Sequence, residues 1–306
     1  MKHVTLRQLR VFESVARHLS FSRAAEELHL TQPAVSMQVK QLEELAGLPL
    51  TEMIGKKVYL TQAGEEVARH ARRIAQQLRE AEEALDALKG VKGGRLSIGV
   101  VSTAKYFAPR LLAEFRRRHD GIVLDLRVGN RETVVHQLAD NEIDLAIMGQ
   151  PPQEFPTVAE PFADHPLVIV ASPDHRLARL ARVTPADLAA ETFLIREPGS
   201  GTRATMERFF ADAGIAPRQL LELAGNNETI KQAVMAGLGL AFISGHSVAL
   251  ECEVGRLVQL PVAGTPVMRR WFVVQRAEKE LLPLAAAFRA FLLTEAPALM
   301  GAKTAH

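Results

Sequence analysis

The sequence predicts an α/β fold that follows an all-α-rich N-terminal segment. Three observations lead to this prediction. Two short helical stretches with a tight break between them occupy residues 20–45, and a long segment with heptad spacing occupies residues 62–89. From residue 95 onward, apolar strands alternate with amphipathic helices, a pattern typical of parallel α/β sheets. The chain is therefore expected to divide into a helical part and a larger α/β part.

Composition limits the functional classes that the chain can belong to. It has 306 residues and a formal net charge of +2, so any nucleic-acid footprint must be a local basic surface. Cys252 is the only cysteine, which excludes an intrachain disulfide and a cysteine-based metal cluster. The N-terminus lacks the apolar core of a secretion signal, and no apolar run reaches the roughly 20 residues of a membrane span. We expect a cytoplasmic protein.

Residues 20–45 predict two helices joined by a tight turn. Ser20 or Ser22 can cap the first helix, and the break falls at residues 29–30. The hydroxyl of Thr31 is predicted to cap the second helix, which carries a proline in its first turn. The spacing of apolar residues in both segments indicates that one face of each helix is buried.

The second helix has an inward apolar stripe and an outward polar face. The stripe has spacings of four, three and four residues and consists of Val35, Val39, Leu42 and Ala46. The outward face carries Pro33, Ser36, Met37, Lys40 and Gln41. Short polar and basic side chains on a helix suit the major groove of DNA, where they read base edges and hold phosphates. The alternative is an ordinary helical hairpin packed in a core.

A short hairpin follows at residues 49–61. Gly55 makes its turn, and Lys56 and Lys57 lie at the tip, where a phosphate backbone could pass. A solvated turn is the alternative for the two lysines. A further helix is predicted before residue 20, because the apolar residues at positions 6, 9, 12, 15 and 16 fall on one helical face. Three helices and a basic hairpin together predict a winged helix-turn-helix over residues 1–61, which is more specific than either part alone.

The next segment predicts a long dimerising linker helix over residues 62–89. Its apolar residues follow alternating spacings of four and three, which is the seam of a coiled coil: Val67, Ala71, Ile74, Leu78, Ala81, Leu85 and Leu88. A long helix packed against its own chain is the alternative. Residues 90–94 form a glycine-rich predicted hinge.

The α/β part contains an internal repeat. Residues 129–133 and 225–229 share the pattern GNxET, and each copy precedes a helix and an apolar strand that ends in a glycine, Gly149 or Gly245. The offset is 96 residues at both ends of the repeat. We predict two similar lobes, one from residues 95–163 and 266–306 and the other from residues 164–265. Chance similarity of short segments is the alternative.

The loops at the predicted strand ends suggest a site for a small anion. The loop over residues 196–203 combines glycines, hydroxyls and two arginines, which can hold a carboxylate or a phosphate. Because ligands bind at the carboxyl ends of strands in open α/β sheets, the corresponding loops of both lobes should face one cleft. The predicted effector-binding residues are Ser102, Thr103, Lys105, Gly149, Gln150, Arg196, Ser200, Gly201, Thr202, Arg203, Asn227 and Thr229. A set of helix caps without a ligand is the alternative.

No constellation predicts catalysis or a metal site. The histidines are scattered without HExxH spacing, and Ser244-Gly245-His246 is not a nucleophile elbow. Lone histidines such as His165 are interpreted as surface or packing residues. Glu228 is interpreted as a first-turn helix residue rather than as a general base. We therefore expect no enzyme activity and no cofactor other than a small-molecule effector.

The chain resembles the LysR-type transcriptional regulators over essentially its full length. The resemblance rests on FSRAAEELHLTQPAVSMQVKQLE near the start, on the wing-to-linker join GKKVYLTQAGE and on the two-lobed second part. Within that family, REPGSGTRATMERFF and GNNETIKQAVMAGLGLAFISG resemble the CbbR branch, which activates carbon-fixation (Rubisco) operons.

The resemblance implies a winged helix-turn-helix, a linker helix and a periplasmic-binding-protein-like effector domain of two lobes. It also implies a homotetramer, built as a dimer of dimers, that bends promoter DNA and recruits RNA polymerase. The positions that contact DNA in the family, with two residues of the preceding helix added, are Ser22, Arg23, Thr31, Gln32, Pro33, Ser36, Lys40, Lys56 and Lys57. The branch implies an effector such as ribulose bisphosphate, another phosphorylated sugar, phosphoenolpyruvate or NADPH.

The wing departs from the family pattern at two positions. It reads Leu50-Thr51-Glu52-Met53 where the family commonly has Leu-Phe-Glu-Arg. Thr51 replaces an aromatic residue of the small core, and Met53 replaces a phosphate-seeking arginine. These departures predict a less stable or more weakly binding DNA domain.

The sequence thus predicts a ligand-responsive activator of a metabolic operon and favours carbon-fixation genes as its target. A repressor, or a LysR-type regulator of sulfur or aromatic metabolism, is the first alternative. An α/β small-molecule-binding protein or transferase is the alternative from another class. The missing acid–base pair argues against the transferase, and the missing secretion signal argues against a solute-binding protein.

Overall fold

A computed structural model describes residues 3–55, 57–88, 93–223 and 227–301 and divides into two compact units. The first unit contains residues 1–90 with 140–142, and the second contains the remainder. Several predictions lie outside the described residues: Lys56 at the wing tip, residues 89–92 of the linker end and hinge, Gly225 and Asn226 of the repeat, residues 302–306 and the side chain of Leu88.

The first unit is helical apart from one hairpin. Its elements are α1 (Leu6–His18), α2 (Phe21–Glu27), α3 (Gln32–Ala46), β1 (Thr51–Ile54), β2 (Lys57–Leu60) and α4 (Gln62–Leu88). A capping box formed by Thr5 and Gln8 starts α1, and the Ser20 hydroxyl accepts a hydrogen bond from the Arg23 amide at the start of α2. Thr31 occupies the cap position of α3, but its hydroxyl makes no capping hydrogen bond, so that detail of the prediction is wrong. The proline in the first turn, which has no N–H, reduces the need for such a cap.

The core of the first unit joins all three helices to the hairpin and to α4. Val35, Val39 and Leu42 of the predicted stripe are buried against Phe12, and Leu50 is fully buried at the start of the hairpin. Strands β1 and β2 pair in antiparallel register from Thr51 opposite Leu60, with Gly55 at a positive φ of 64° in the turn. The wing is therefore fixed to the helices through its first residues.

The wing departure at Thr51 introduces a hydrogen-bonded hydroxyl at the edge of this core. The Glu43 carboxylate accepts hydrogen bonds from the amides of Leu50 and Thr51, at 2.8 and 3.0 Å, and from the Thr51 hydroxyl at 3.1 Å. Thr51 is half-buried, and the apolar position next to it is filled by Leu50. The Thr51 hydroxyl therefore makes a hydrogen bond that an aromatic ring could not make, and a less stable DNA domain stays a prediction.

The second unit alternates strands with helices. Its first half contains β3 (Gly94–Val101), α5 (Ala108–Arg117), β4 (Ile122–Gly129), α6 (Arg131–Ala139), β5 (Leu145–Met148) and β6 (Thr157–Ala171). The elements that follow are α7 (Pro185–Ala189), β7 (Thr192–Ile195), α8 (Gly201–Asp212), β8 (Gln219–Glu222), α9 (Asn227–Met235), β9 (Leu240–Ser244), α10 (Gly245–Glu253), β10 (Val258–Gln259), β11 (Val267–Arg276), α11 (Pro283–Thr294) and α12 (Ala296–Gly301).

These strands form one mixed sheet in which two parallel groups flank an antiparallel pair. The order is β4-β3-β5-β11-β6-β9-β7-β8, with β10 beside β6. Strand β3 is parallel to β4 and β5, and β7 is parallel to β8 and β9, so the two groups have the same internal order. Helix α6 covers residues 131–139 and α9 covers residues 227–235, which is the 96-residue offset of the sequence repeat.

The two central strands are antiparallel to their neighbours, which corrects the expectation of a parallel sheet. Strand β6 is 15 residues long and continues past residue 163, where the sequence suggested a lobe boundary, and β11 is 10 residues long. Each parallel group has its own apolar core, around Trp271, Phe115 and Phe288 on one side and around Phe193 and Phe210 on the other. Because β6 and β11 are long and lie between the two parallel groups, both strands run past loops from each group.

Among the described helices, none combines the length and the apolar character that a membrane crossing requires.

Candidate functional site

A cavity of about 80 Å³ lies in the second unit where loops of the two parallel groups converge. It is lined by Val101, Ser102, Thr103, Asn130, Arg131, Glu132, Met148, Gly149, Gln150, His165, residues 196–202 and Arg269. The loops after β3, β4 and β5 come from one group, and the loop between β7 and α8 comes from the other. This is the strand-end position at which α/β sheets bind ligands.

Most of the predicted effector residues lie in this cavity. Eight of them line it: Ser102, Thr103, Gly149, Gln150, Arg196, Ser200, Gly201 and Thr202. Arg203 instead lines a wider outer recess of about 440 Å³, which shares the glycine-serine loop with the cavity. Lys105, Asn227 and Thr229 do not line either space. The structure therefore brings the three predicted loops together and sets four predicted residues apart.

Arg196 joins the two groups but already has partners. It is buried and makes two hydrogen bonds to the Glu197 carboxylate, at 2.7 and 2.6 Å. It also donates to the Asn227 side-chain oxygen and, at 3.4 Å, to the Ser102 hydroxyl. Burial alone would raise the pKa of Glu197, but the Arg196 guanidinium holds it below its ordinary value. The positive charge of Arg196 is therefore balanced within the chain, and Asn227 acts by positioning it.

Two further predicted cations are paired with carboxylates outside the cavity. Arg203 contacts Glu207 at 2.9 Å and Glu222 at 2.6 Å. Lys105 contacts Glu228 at 3.1 Å. Both side chains would have to leave these partners to hold a ligand.

Two cavity residues that the sequence analysis did not select are Arg269 on β11 and His165 on β6. They are directly opposite each other in the antiparallel register of the two strands. The Arg269 guanidinium donates to the carbonyls of Gly149 and Gly201, at 2.8 and 3.0 Å, and to the Thr205 hydroxyl at 2.8 Å. A sequence signal existed, because two adjacent arginines within an otherwise apolar strand place one of them on each face of the sheet.

His165 is a buried histidine of the cavity wall. It is 3 % exposed, and its ring stacks on that of Trp271 with centroids 3.9 Å apart. Within the described part of the chain, neither ring nitrogen has a hydrogen-bond partner. Burial, and then the nearby His246 and Arg269, lower the pKa of His165 to about 3, so the ring is neutral at neutral pH. The interpretation of His165 as a packing residue is incomplete, since stacking leaves both nitrogens unused.

The cavity also contains residues of the first GNxET segment that sequence reasoning missed. The Asn130 side chain accepts a hydrogen bond from the Thr133 amide at 2.8 Å and so caps α6. Arg131 lines the cavity, with its guanidinium paired to Glu154 at 2.9 Å, and Glu132 lies next to it. The repeat itself was the available signal, because it placed this helix start at a strand end.

The first unit presents the predicted DNA-contacting side chains on its surface. All of those that the structure describes are exposed: Ser22, Arg23, Thr31, Gln32, Pro33, Ser36, Lys40 and Lys57. They lie at the start of α2, along the first turns of α3 and on the wing. Met37, an apolar residue of the same region of α3, is 54 % exposed. A helix with a free polar face and an adjacent basic wing has the geometry that fits a major groove and the phosphates beside it.

Comparison with known families assigns both parts of the chain to domains of the LysR family. Residues 6–65 match the bacterial regulatory helix-turn-helix protein model of the lysR family, and residues 89–297 match the LysR substrate binding domain. The chain is 55 % identical to the RuBisCO operon transcriptional regulator of Allochromatium vinosum, over 96 % of this chain and 97 % of that protein. It is 53 % identical to the HTH-type transcriptional regulator CbbR of Rhodospirillum rubrum, over 94 % of this chain and 95 % of that protein.

A solved structure gives a comparison for the second unit. The regulatory domain of CcmR from Synechocystis PCC6803, in complex with 2-PG, superposes with a TM-score of 0.63 at 39 % identity. That match covers 67 % of this chain and 99 % of the CcmR domain. The relatives are named as transcriptional regulators rather than as enzymes. The chain belongs to the LysR family of ligand-responsive, DNA-binding transcriptional regulators, and its relatives are regulators of the CbbR type.

Proposed function

We propose that this protein activates a carbon-fixation operon in response to a small anionic metabolite. The observation that carries the proposal is the cation-lined cavity at the meeting point of the two parallel groups. The relatives are named for the RuBisCO operon and as CbbR, and the CcmR domain was solved with 2-PG, which points to the same kind of target and ligand here.

The DNA-binding step is assigned to the exposed residues of α2, α3 and the wing. Gln32 and Ser36 would face base edges, and Lys40 and Lys57 would hold phosphates. A dimer places two such surfaces on two half-sites, and a dimer of dimers spans several helical turns of promoter DNA. The exposed apolar residues of α4 support the dimer. Because its partners are DNA and RNA polymerase, we place the protein in the cytoplasm.

The signalling step requires that the effector binds one arrangement of the protein better than another. Cavity residues come from both parallel groups, so an anion bound between them would favour the arrangement in which they are closest. In the tetramer, this preference would change the DNA bend and the recruitment of RNA polymerase.

The proposal is tested by footprinting the purified protein on a carbon-fixation promoter and on the DNA upstream of its own gene. Each footprint is recorded without ligand and with phosphoenolpyruvate, 2-PG, ribulose bisphosphate or NADPH. A footprint over several helical turns that shortens or shifts with one of these anions is the expected result. A footprint that none of them alters would leave a LysR regulator of another pathway, and in vitro transcription would then separate activation from repression.

A further inference from the structure

We propose that Arg269, with His165 opposite it, is the residue pair that holds the acidic group of the effector. The inference rests on the proposed function, because it assumes that the cavity binds a small anion. It adds the identity of the anion-holding residues and the size of the group that they take. Neither residue belongs to the glycine-serine loop from which the sequence predicted the site.

Arg269 is the cavity cation whose charge has no counterpart in the described parts of the chain. No carboxylate oxygen of the described residues lies within 4.0 Å of its guanidinium, whose three hydrogen bonds go to neutral oxygens. Burial lowers the pKa of Arg269, but an arginine remains charged at any physiological pH. A partly buried charge of this kind is stabilised when an anion enters beside it.

The other two arginines of the cavity differ from Arg269 in this respect. The charge of Arg196 is balanced by Glu197 at 2.6 Å, and that of Arg131 is balanced by Glu154 at 2.9 Å. An anion that paired with either of them would compete with a carboxylate of the protein for the same charge. The cavity therefore attracts an anion mainly toward Arg269.

His165 supplies an unused polar group beside this cation. Its side chain is more than nine-tenths buried and lines the cavity, and its two ring nitrogens have no partner among the described residues. Both nitrogens have almost no accessible surface, so a ligand oxygen reaches one of them only after a small shift of the cavity wall. A buried polar atom without a hydrogen bond costs stability, and a ligand that bonds to it removes that cost. A neutral imidazole can donate one hydrogen bond to an oxyanion without changing the net charge of the site.

The dimensions of the site limit the bound group. The inner cavity, at about 80 Å³, is the smaller of the two spaces. A carboxyl or phosphoryl group with a short linker suits a space of this size, and a larger ligand would have to extend beyond it. The outer recess of about 440 Å³ continues from it along the loop at residues 198–201. The ligand class is therefore a short-chain acid, of which one acidic group sits at Arg269 and any remainder extends into the recess.

Arg269 also connects the bound group to both parallel groups of strands. Gly149 follows β5 in one group, and Gly201 and Thr205 belong to α8 beside the other. An anion that draws the guanidinium toward itself acts on all three hydrogen bonds at once. The same residue can therefore bind the ligand and transmit its presence.

Calorimetric titration of the full-length protein with phosphoenolpyruvate, 2-PG and inorganic phosphate tests this assignment. Arg269→Gln should weaken binding of the organic anions by about 10- to 100-fold, because a hydrogen-bonded charge pair is lost. Arg269→Lys retains the charge and should keep part of the affinity. Arg270→Gln is the matched control, since Arg270 is the next residue on β11 and pairs with Asp164 on the other face. It should bind like the wild-type protein.

His165→Phe separates binding from packing. Phenylalanine retains a ring that can stack on Trp271 and removes the two unpartnered nitrogens, so the melting temperature without ligand should stay equal or rise. Anion affinity should nevertheless fall by about 5- to 10-fold, as expected for one lost hydrogen bond. A residue that only packs would show no loss of affinity.

The outcomes distinguish this inference from the proposed function. If the wild-type protein binds an organic anion and Arg269→Gln or His165→Phe binds it within about twofold of wild type, the pair does not hold the acidic group and the inference is overturned. If the wild-type protein binds none of the probes, the anionic effector of the proposed function fails as well. Loss of binding in Arg269→Gln and His165→Phe, with Arg270→Gln unaffected, supports the inference.

Discussion

The hydroxyl of Tyr106 donates a hydrogen bond to the carboxylate of Glu228, with 2.7 Å between the oxygens. Tyr106 lies in a short 3₁₀ turn after β3, whereas Glu228 lies in the first turn of α9, so the bond joins the two parallel groups of the sheet. Lys105 and Lys231 contact the same carboxylate at 3.1 and 2.9 Å, and the Lys231 ammonium lies 4.6 Å from the Tyr106 ring centroid. These polar contacts link the two parallel groups through residues that do not line the cavity.

The hydrogen bond between Tyr106 and Glu228 predicts that the stability of the folded protein falls in acid. Burial would raise the pKa of Glu228, but hydrogen bonds from Tyr106, Lys231 and Lys105 lower it from 4.5 to about 2. Because the pKa is lower in the folded state, the contribution to stability is present above the ordinary pKa and is lost as pH falls from about 4.5 toward 2. Glu228→Gln should therefore show a smaller fall in melting temperature between pH 6 and pH 3 than the wild-type protein.

The matched control for this experiment is Glu253→Gln, an exposed carboxylate at the end of α10. It should follow the wild-type pH profile. Equal pH profiles for Glu228→Gln and wild type would contradict the assigned role of the carboxylate. Because Glu228 is partly exposed, the substitution should make the dependence of melting temperature on pH shallower. It should not produce a separate unfolding transition.

Much of the fold and of the cavity was predictable because local patterns determine it. Periodicity gave the helices and strands, and the 96-residue repeat indicated that two groups of strands are alike. Strand-end loops are brought together by any such sheet, so residues such as Ser102, Gly149 and Thr202 followed from the topology. Periodicity lies within single elements, the repeat is visible by comparing two segments, and neither requires knowledge of which strands pair across the sheet.

The remaining residues depend on contacts between distant parts of the chain. Arg269 and His165 become neighbours only because β11 pairs with β6 in one register, which no local pattern fixes. The pairing of Lys105 with Glu228 cannot be foreseen, because the two residues lie far apart in the sequence. Arg203 is a different case: its partner Glu207 is four residues further along the same helix, so this pairing was readable from the sequence.

Thr51→Val should destabilise the DNA-binding unit. Valine retains the shape of threonine but removes the hydroxyl that donates to Glu43, and the loss is expected to be about 1 kcal/mol of unfolding free energy. Thr51→Phe should give no gain, because it loses the same bond at a half-buried position. Differential scanning calorimetry of the full chain measures the melting temperature of both variants. Leu42→Ala removes a buried side chain of the DNA-binding unit, so the transition that it lowers belongs to this unit. A higher melting temperature for Thr51→Phe would support the view that the wing lacks an aromatic core residue.

The exposed apolar residues of α4 predict that this helix forms an interface with a second copy. Ala71 is buried in the first unit, but Ile74, Leu78 and Leu85 of the same heptad seam are 38, 45 and 56 % exposed. Leu78→Asp places a charge in the proposed seam and should weaken dimerisation at least about tenfold, since burying one leucine contributes about 1.5–3 kcal/mol. Light scattering across a dilution series measures the dissociation constant. Arg79→Gln, an exposed position of the same helix outside the seam and its flanking positions, should leave it unchanged, and an unaffected Leu78→Asp dimer would place the interface elsewhere.

Lys57 on the wing should contribute to DNA affinity through phosphate alone. Its side chain is exposed on β2, next to the turn at Gly55. Lys57→Gln should weaken binding to promoter and to unrelated DNA by similar factors, because phosphate contacts carry no sequence information. The log–log slope of affinity against salt should fall by about one for each copy of Lys57 that contacts a phosphate. Arg110→Gln removes the same charge from an exposed position of α5 and controls for net charge. If both variants change the slope equally, the wing does not contact the backbone and only the overall charge of the protein acts on the DNA.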